Sequence, residues 1–408
     1  MNNQKTMNYS ILYKNNHVSN IYEACTCCYN NTKPLTYQEK KEYIQKRINA
    51  GHESILEHGK LAIKIKNITN LEDLVQLTTS SFSKYLEFYS TKHTEEIKKK
   101  FKKTNTITYY NLIVNGNMRS YKYFLNTITD EDMNNSLIQA VYFILINNTV
   151  KELYGTSFKL SETPKFVDIE YFNDTTEELQ YDNIIKKKDG IEYQTIKSHY
   201  VDIPITNNDI KSIILGIDSK SVERLMKDKD VPYNVIFHII PITIVFRNMS
   251  RTTTHQLVRH RNAVTQESQR YVDYSNASFT IPIQNYDPKK KYNIKFNKTN
   301  NNLTLEKLAK ELISVYSKLM TSSNNKIKKE EARGFLPSNV NCNRLYMTFT
   351  LFTLFQFIKL RTDPHAQYEI REYANTIKST LINETEIGNF ISTAYNYDID
   401  ELYINRNK

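Results

Sequence analysis

The alternation of polar and apolar positions changes period several times along the chain. Thr36-Tyr37-Gln38-Glu39 has capping-box spacing, so a helix is predicted to run from there to about Ala50, with Gly51 ending it. Leu61, Ile63 and Ile65 then alternate with Ala62, Lys64 and Lys66, the period of a strand with one buried face. His52-Glu53-Ser54-Ile55-Leu56-Glu57-His58 lies at the corner between these two elements. Farther along, Ser136 to Ile146 is an apolar helical stretch, Ile239 to Phe246 reads as a buried strand, and Met249 to Val258 reads as a helix. Leu305, Leu308, Leu312, Val315, Tyr316 and Leu319 follow helical spacing, and a last helix is predicted from Tyr346 to Leu360. No repeat of solenoid period is seen.

Composition adds limits rather than elements. A hydrophobic fraction of 39% with 24% charged residues is enough to build a core. The formal charge of +11 favours anionic partners such as nucleotides or folate glutamate tails. The lysines cluster in short runs, for example Lys98-Lys99-Lys100 and Lys186-Lys187-Lys188, which suit solvated loops better than a nucleic-acid interface. Cys25, Cys27, Cys28 and Cys342 are too few and too bunched for a disulfide framework, and the first three lack paired metal-ligand spacing. With no apolar run of membrane-spanning length and no leader-like start, the expectation is a soluble protein of a reducing, cytoplasmic compartment without a metal.

The densest candidate chemistry is Gln256-Leu-Val-Arg259-His260-Arg261-Asn-Ala-Val-Thr-Gln266-Glu267-Ser268-Gln269-Arg270-Tyr271. Arginine presents a planar fork of donors matched to phosphate oxygens, and serine with turn amides completes an anion cradle. Taken alone, such a cluster is more often a solvated basic face.

This stretch resembles the signature of flavin-dependent thymidylate synthases, in which Arg-His-Arg precedes Ser and then Arg-Tyr. Three more segments are similar to that family in the expected order: Gly51 to His58, Glu331-Ala332-Arg333-Gly-Phe-Leu336-Pro337, and Leu360-Arg361-Thr-Asp-Pro-His365-Ala366-Gln367-Tyr368-Glu369-Ile370-Arg371. The resemblance implies an α/β (α+β) fold of the synthase type with an inserted subdomain. Residues 1–70 then form the helix and strand part, 71–235 the insertion, 236–395 the flavin- and dUMP-binding part, and 396–408 a tail. It implies reductive methylation of dUMP to dTMP with 5,10-methylenetetrahydrofolate as one-carbon donor, FAD as cofactor and NADPH as its reductant, in a homotetramer with shared sites.

By the same resemblance Gln256, Arg259, Gln266, Glu267, Ser268, Gln269, Arg270, Arg333 and Arg361 surround dUMP, Arg361 being the catalytic cation against the uracil ring. Ser54, Arg259, His260, Arg261, Gln266 and His365 surround FAD, with His52 lining the same cavity. One departure is visible: where the family often carries Asn-x-Arg against the flavin, this chain has Thr350-Leu351-Phe352, with Gln356 following. A similar element, Asn117-Met118-Arg119, occurs in the insertion, and Asn117, Arg119 and Gln356 are therefore added to the flavin set. Two other readings stay open: a catalytically degenerate nucleotide- or RNA-binding relative, and a thiol-type synthase, which requires Cys342 to act as nucleophile.

Overall fold

A computed structural model describes residues 7–14, 17–29, 35–98, 104–146, 153, 184–188, 191–195, 200–204, 212–216, 222, 225–281, 283–284, 286–296, 299–321 and 327–383. The chain opens with β1 (Asn8–Lys14), α1 (His17–Tyr29) and α2 (Tyr37–Asn49). The capping box forms as predicted: Glu39 N donates to Thr36 Oγ1 at 3.3 Å and Thr36 N donates to Glu39 Oε2 at 2.7 Å. Gly51 follows with φ of 83°, a left-handed position that costs glycine little. A 3-10 turn (Glu53–His58) then delivers the chain to β2 (Lys60–Ile68).

After α3 (Leu71–Thr79), β3 (Glu87–Lys98) and β4 (Thr104–Asn117) complete an antiparallel sheet of order β1-β2-β4-β3. The boundary drawn at residue 70 falls inside this sheet, because β2 pairs with β4 from Lys60↔Asn117 to Ile68↔Tyr110. α4 (Met118–Thr127) and α5 (Ser136–Leu145) share its core: Leu61, Ile63 and Ile65 of β2 are buried with Tyr121, Phe124, Leu137 and Val141. Each such aliphatic side chain contributes about 2 kcal/mol through burial.

The hairpins β5 (Ile184–Lys188) with β6 (Ile191–Thr195), and β7 (Tyr200–Pro204) with β8 (Ser212–Gly216), precede α6 (Tyr233–Ile239) and β9 (Pro241–Ser250). Next come α7 (Arg251–Leu257), β10 (Ala263–Gln266), the hairpin β11 (Tyr292–Phe296) and β12 (Thr299–Leu303), α8 (Leu305–Thr321) and the single turn α9 (Lys329–Ala332). β13 (Asn341–Thr350), α10 (Leu351–Arg361) and α11 (Tyr368–Asn383) end the described chain.

The second large sheet has the order β10-β13-β9-β8-β7, again antiparallel, so the α+β form of the expected fold class is the one adopted. The helix predicted from Tyr346 needs correction. Residues 346–350 are the end of β13, held between β9 and β10, and the helix starts only at Leu351. Both faces of that central strand are buried, so its apolar run carries no alternation.

Candidate active site

The basic segment begins on a fixed platform. Ser250 caps α7, its Oγ accepting from Thr253 N at 3.2 Å. Buried Glu369 on α11 anchors that cap, accepting from Ser250 N at 2.9 Å, Ser250 Oγ at 2.5 Å and Thr253 Oγ1 at 2.8 Å. α7 runs into a 3-10 turn, Val258–His260, and Arg261 closes it with φ of 52°. A non-glycine residue in this left-handed region is uncommon and carries strain, here at the corner where three basic side chains emerge.

Two distant segments meet at this corner. Arg361, the last residue of α10, donates from Nε to His260 Nε2 at 3.0 Å, which places the histidine proton on Nδ1. Burial and then the Arg361 cation hold the His260 pKa down at about 4. Burial and then Arg259 lower that of Arg361. Among the described residues no carboxylate pairs with Arg259, Arg261 or Arg361. Thr353 on the same helix donates to Asn262 Oδ1 at 2.8 Å, and Phe357 packs edge-on against His260 at 5.0 Å, so half-buried Gln356 lies on the helix face beside the corner. Gln256 is hydrogen-bonded to Gln367 of the last matching segment.

β10 leads from the basic corner to a second cluster, about 10 Å away at 3.3 Å per residue. There Ser268 opens a turn, its Oγ accepting from Arg270 N at 3.2 Å and its own N donating to Cys28 O at 3.1 Å. Arg270 pairs with Glu330 at 3.2 Å, and Arg333 Nε donates to the Glu330 carbonyl at 3.1 Å. The structure thus brings Ser268, Arg270 and Arg333 together, with neighbouring Gln269 half-buried. Gln266, between the clusters, has a buried Oε1 without a hydrogen-bond partner among the described residues.

Glu267 has a different place. It is 1% exposed, accepts from Tyr274 and from Asn343 Nδ2 at 3.1 and 3.0 Å, and its carbonyl accepts from buried Arg251 at 2.6 Å. His365 is exposed, its backbone N bonded to Asp363 at 2.8 Å.

Ser54 and His52 are exposed on the early corner. Asn117 caps α4, accepting from Ser120 N at 2.9 Å, and Arg119 pairs with Glu57 at 2.5 Å, so these two residues flank the turn that carries Ser54. His58, two residues before β2, joins this corner to the second sheet: Nδ1 lies 2.9 Å from Thr348 Oγ1 and Nε2 3.1 Å from Thr265 Oγ1. Neither its role nor that of Glu369 is marked by a local pattern, since their partners lie far away in sequence.

Burial and then Lys60 hold the His58 pKa at about 3. Below pH 6.5 the unfolded chain takes up a proton that the folded chain refuses. The contribution is therefore fully present above pH 6.5 and is lost as the pH falls toward 3, with a slope of at most about 1.4 kcal/mol per pH unit. Urea midpoints measured between pH 7.5 and 5 are expected to fall, and to fall less in His58→Gln. An unchanged slope in that variant contradicts the assignment.

Two of the four thiols are buried and hydrogen-bonded. Cys27 Sγ donates to Arg344 O at 3.1 Å inside the helix and sheet interface, and burial raises its pKa. Cys342 is fully buried, donates to Arg344 O at 3.1 Å, and is pushed up to about 11 by burial, which leaves little thiolate at neutral pH.

The α+β scaffold thus gathers arginines without a carboxylate partner among the described residues, a neutral histidine and a buried amide oxygen without a hydrogen-bond partner among them. The family described as thymidylate synthase complementing protein matches residues 11–156 and 183–385, and the chain belongs to it. Among similar proteins, the flavin-dependent thymidylate synthase of Pyrococcus furiosus is 35% identical over 157 residues, 37% of this chain and 59% of that protein. That of Pyrococcus abyssi is 33% identical over 157 residues, with the same 37% and 59% coverage. The chain therefore spans about three-fifths of the length of these relatives. The crystal structure of the UMP/dUMP methylase PolB from Streptomyces cacaoi bound with 5-Br UMP is 21% identical, with a TM-score of 0.30 over 44% of this chain and 84% of that one. So loose an overlay carries no argument.

Proposed function

We propose that this protein is a flavin-dependent thymidylate synthase that converts dUMP to dTMP, with 5,10-methylenetetrahydrofolate as one-carbon donor and FAD reduced by NADPH. The observation that carries the reading is the convergence of Arg259 and Arg361, cationic groups with no carboxylate partner among the described residues, around the neutral His260. Like charges held this close need an anion to balance them. The orphaned Gln266 Oε1 also fits, because uracil and the flavin ring both carry an N–H for it to accept.

Arg259, Arg261 and His260 bind FAD in this reading, with Gln266, Gln356 and exposed His365 beside them. Ser54, Asn117 and Arg119 extend the flavin site. Ser268, Gln269, Arg270 and Arg333 take the nucleotide with Gln256, and Glu267 keeps the turn's backbone in place from beneath. When bound and reduced, the flavin supplies hydride. Arg361 does the work at the pyrimidine: His260 fixes its Nε, and its terminal nitrogens hold positive charge where the ring becomes electron-rich. A neutral His260 suits this, since it accepts from the guanidinium without adding a competing cation.

The two clusters stand at opposite ends of β10, which supports the expectation of a homotetramer with sites shared between subunits. Sedimentation velocity coupled to assay tests this, and an active monomer contradicts it. No thiol is required, so Cys342→Ala is expected to retain dTMP formation within about threefold of the parent. A loss beyond a hundredfold in folded protein favours the thiol-type synthase. The test of the binding reading is an absorbance titration with FAD followed by calorimetry with dUMP. Saturable binding of both is expected, and folded protein that binds neither contradicts it.

A further inference from the structure

The two large sheets follow one plan. β1-β2-β4-β3 and β8-β9-β13-β10 have the same chain order and the same spatial order, with every neighbouring pair antiparallel. Their registers agree as well. Lys60, first in β2, faces Asn117, last in β4, just as Pro241, first in β9, faces Thr350, last in β13. Glu87 faces Asn115 and Ala263 faces Thr348, each two residues before its strand's end. A helix and a 3-10 turn join β2 to β3 and β9 to β10. Directly after β4 and β13 comes a helix capped by the strand's last residue, Asn117 or Thr350. Asn67 and Asn248, each seven residues past the first residue of its strand, both have positive φ, 59° and 52°. Positive φ outside glycine is uncommon, so its recurrence at one position marks a shared backbone.

Set in this register, the functional corners are complementary. Counted back from β3 and β10, Ser83, Lys84 and Tyr85 stand where the second sheet has Arg259, His260 and Arg261. Counted from the helix caps, Ile128 stands where the second unit has Arg361. The exchange also runs the other way. Asn117 and Arg119 occupy the places of Thr350 and Phe352, and Ser54 that of Val235. Phe352 and Val235 are packed away at 6% and 4% exposure, whereas the Arg119 side chain is 50% exposed beside Glu57. The second unit has packed away its counterpart of the Ser54 and Arg119 corner, whereas the first unit's counterpart of the basic corner stays exposed at Lys84 and Tyr85 but has neither the arginines nor the histidine, and His58 bridges the two units through Thr348 and Thr265.

We infer that the chain is a tandem duplication of one synthase unit whose ligand-binding residues have been divided between the copies. A complete site then combines Ser54, Asn117 and Arg119 of the first copy with the basic corner of the second, giving one site per chain instead of two. This rests on the reading of the basic corner as a flavin and nucleotide site. The missing Asn-x-Arg at Thr350 is then no loss of chemistry, because the same register position of the other copy supplies it.

The test is an FAD titration of the full chain, read by flavin absorbance and fluorescence, for the parent, Arg119→Ala and Lys84→Ala, with circular dichroism to confirm folding. Saturation near one FAD per chain is expected, with affinity reduced about 10- to 100-fold in Arg119→Ala, the effect of losing a charge-assisted contact. Lys84→Ala, at the exposed position of the first copy that answers to His260, is expected to bind within twofold of the parent. Two FAD per chain, parent-like binding by folded Arg119→Ala, or equal damage from Lys84→Ala overturns the division while leaving the proposed function standing. Absence of FAD binding in the folded parent removes the proposed site and the division with it.

Discussion

Arg361→Ala is expected to lower the rate of dTMP formation by about 10²- to 10³-fold while leaving bound FAD in place, the scale seen when one fixed group that stabilises developing charge is removed. The expectation comes from the position of the guanidinium. Its Nε is committed to His260 at 3.0 Å, so the side chain is oriented before any ligand arrives. Loss of the cation removes charge stabilisation at the ring, whereas the flavin contacts assigned to Arg259, Arg261 and Ser54 stay intact. Arg361→Lys keeps the charge but not the planar fork or the Nε contact, and recovers only part of the rate. Single-turnover assay with flavin content measured alongside separates the two effects. A rate within threefold of the parent in Arg361→Ala excludes this residue as the catalytic cation.

The second large effect concerns stability. Glu369→Ala is expected to cost about 3 kcal/mol, because a buried carboxylate accepting three hydrogen bonds is replaced by nothing. The backbone N–H of Ser250 and the hydroxyls of Ser250 and Thr253 then lose their acceptor beneath the helix that carries Arg259 to its corner. Glu369→Gln is no substitute, since its amide turns a donor toward donors. Urea denaturation at pH 7.5 measures the loss. A change below about 0.5 kcal/mol shows that other contacts hold the platform.

Much of this architecture could be read from the chain because the signals were local. The Thr36 and Glu39 box, Gly51 and the strand through Ile65 each depend on neighbours a few residues away, and each is found, although the strand is covered on both faces, with Ala62 and Lys64 buried as well as Leu61, Ile63 and Ile65. The stripe from Leu305 to Leu319 likewise appears as one helix. The end of β13 reads as helix in the sequence because a strand covered on both faces has no period to distinguish it from a buried helix.

At the site, residue types were legible but arrangement was not. Arg259, His260 and Arg361 announce anion chemistry by composition, whereas the His260 to Arg361 contact spans about a hundred residues and follows from the fold. Glu267 stands inside the signature yet faces inward to Tyr274 and Asn343, a distinction no spacing contains. The repeat of the two units escaped sequence reading for a related reason. Strand register is preserved while the side chains at the corners have been exchanged, so the two copies share hydrogen-bond geometry more than residue identity.

The most direct test of the central claim is dTMP formation by the purified protein, supplied anaerobically with dUMP, 5,10-methylenetetrahydrofolate and NADPH, with and without FAD. The account predicts dTMP in proportion to bound flavin and none when FAD is withheld from flavin-free protein. Folded, FAD-loaded protein that makes no dTMP, or dTMP formed equally well without flavin, contradicts it.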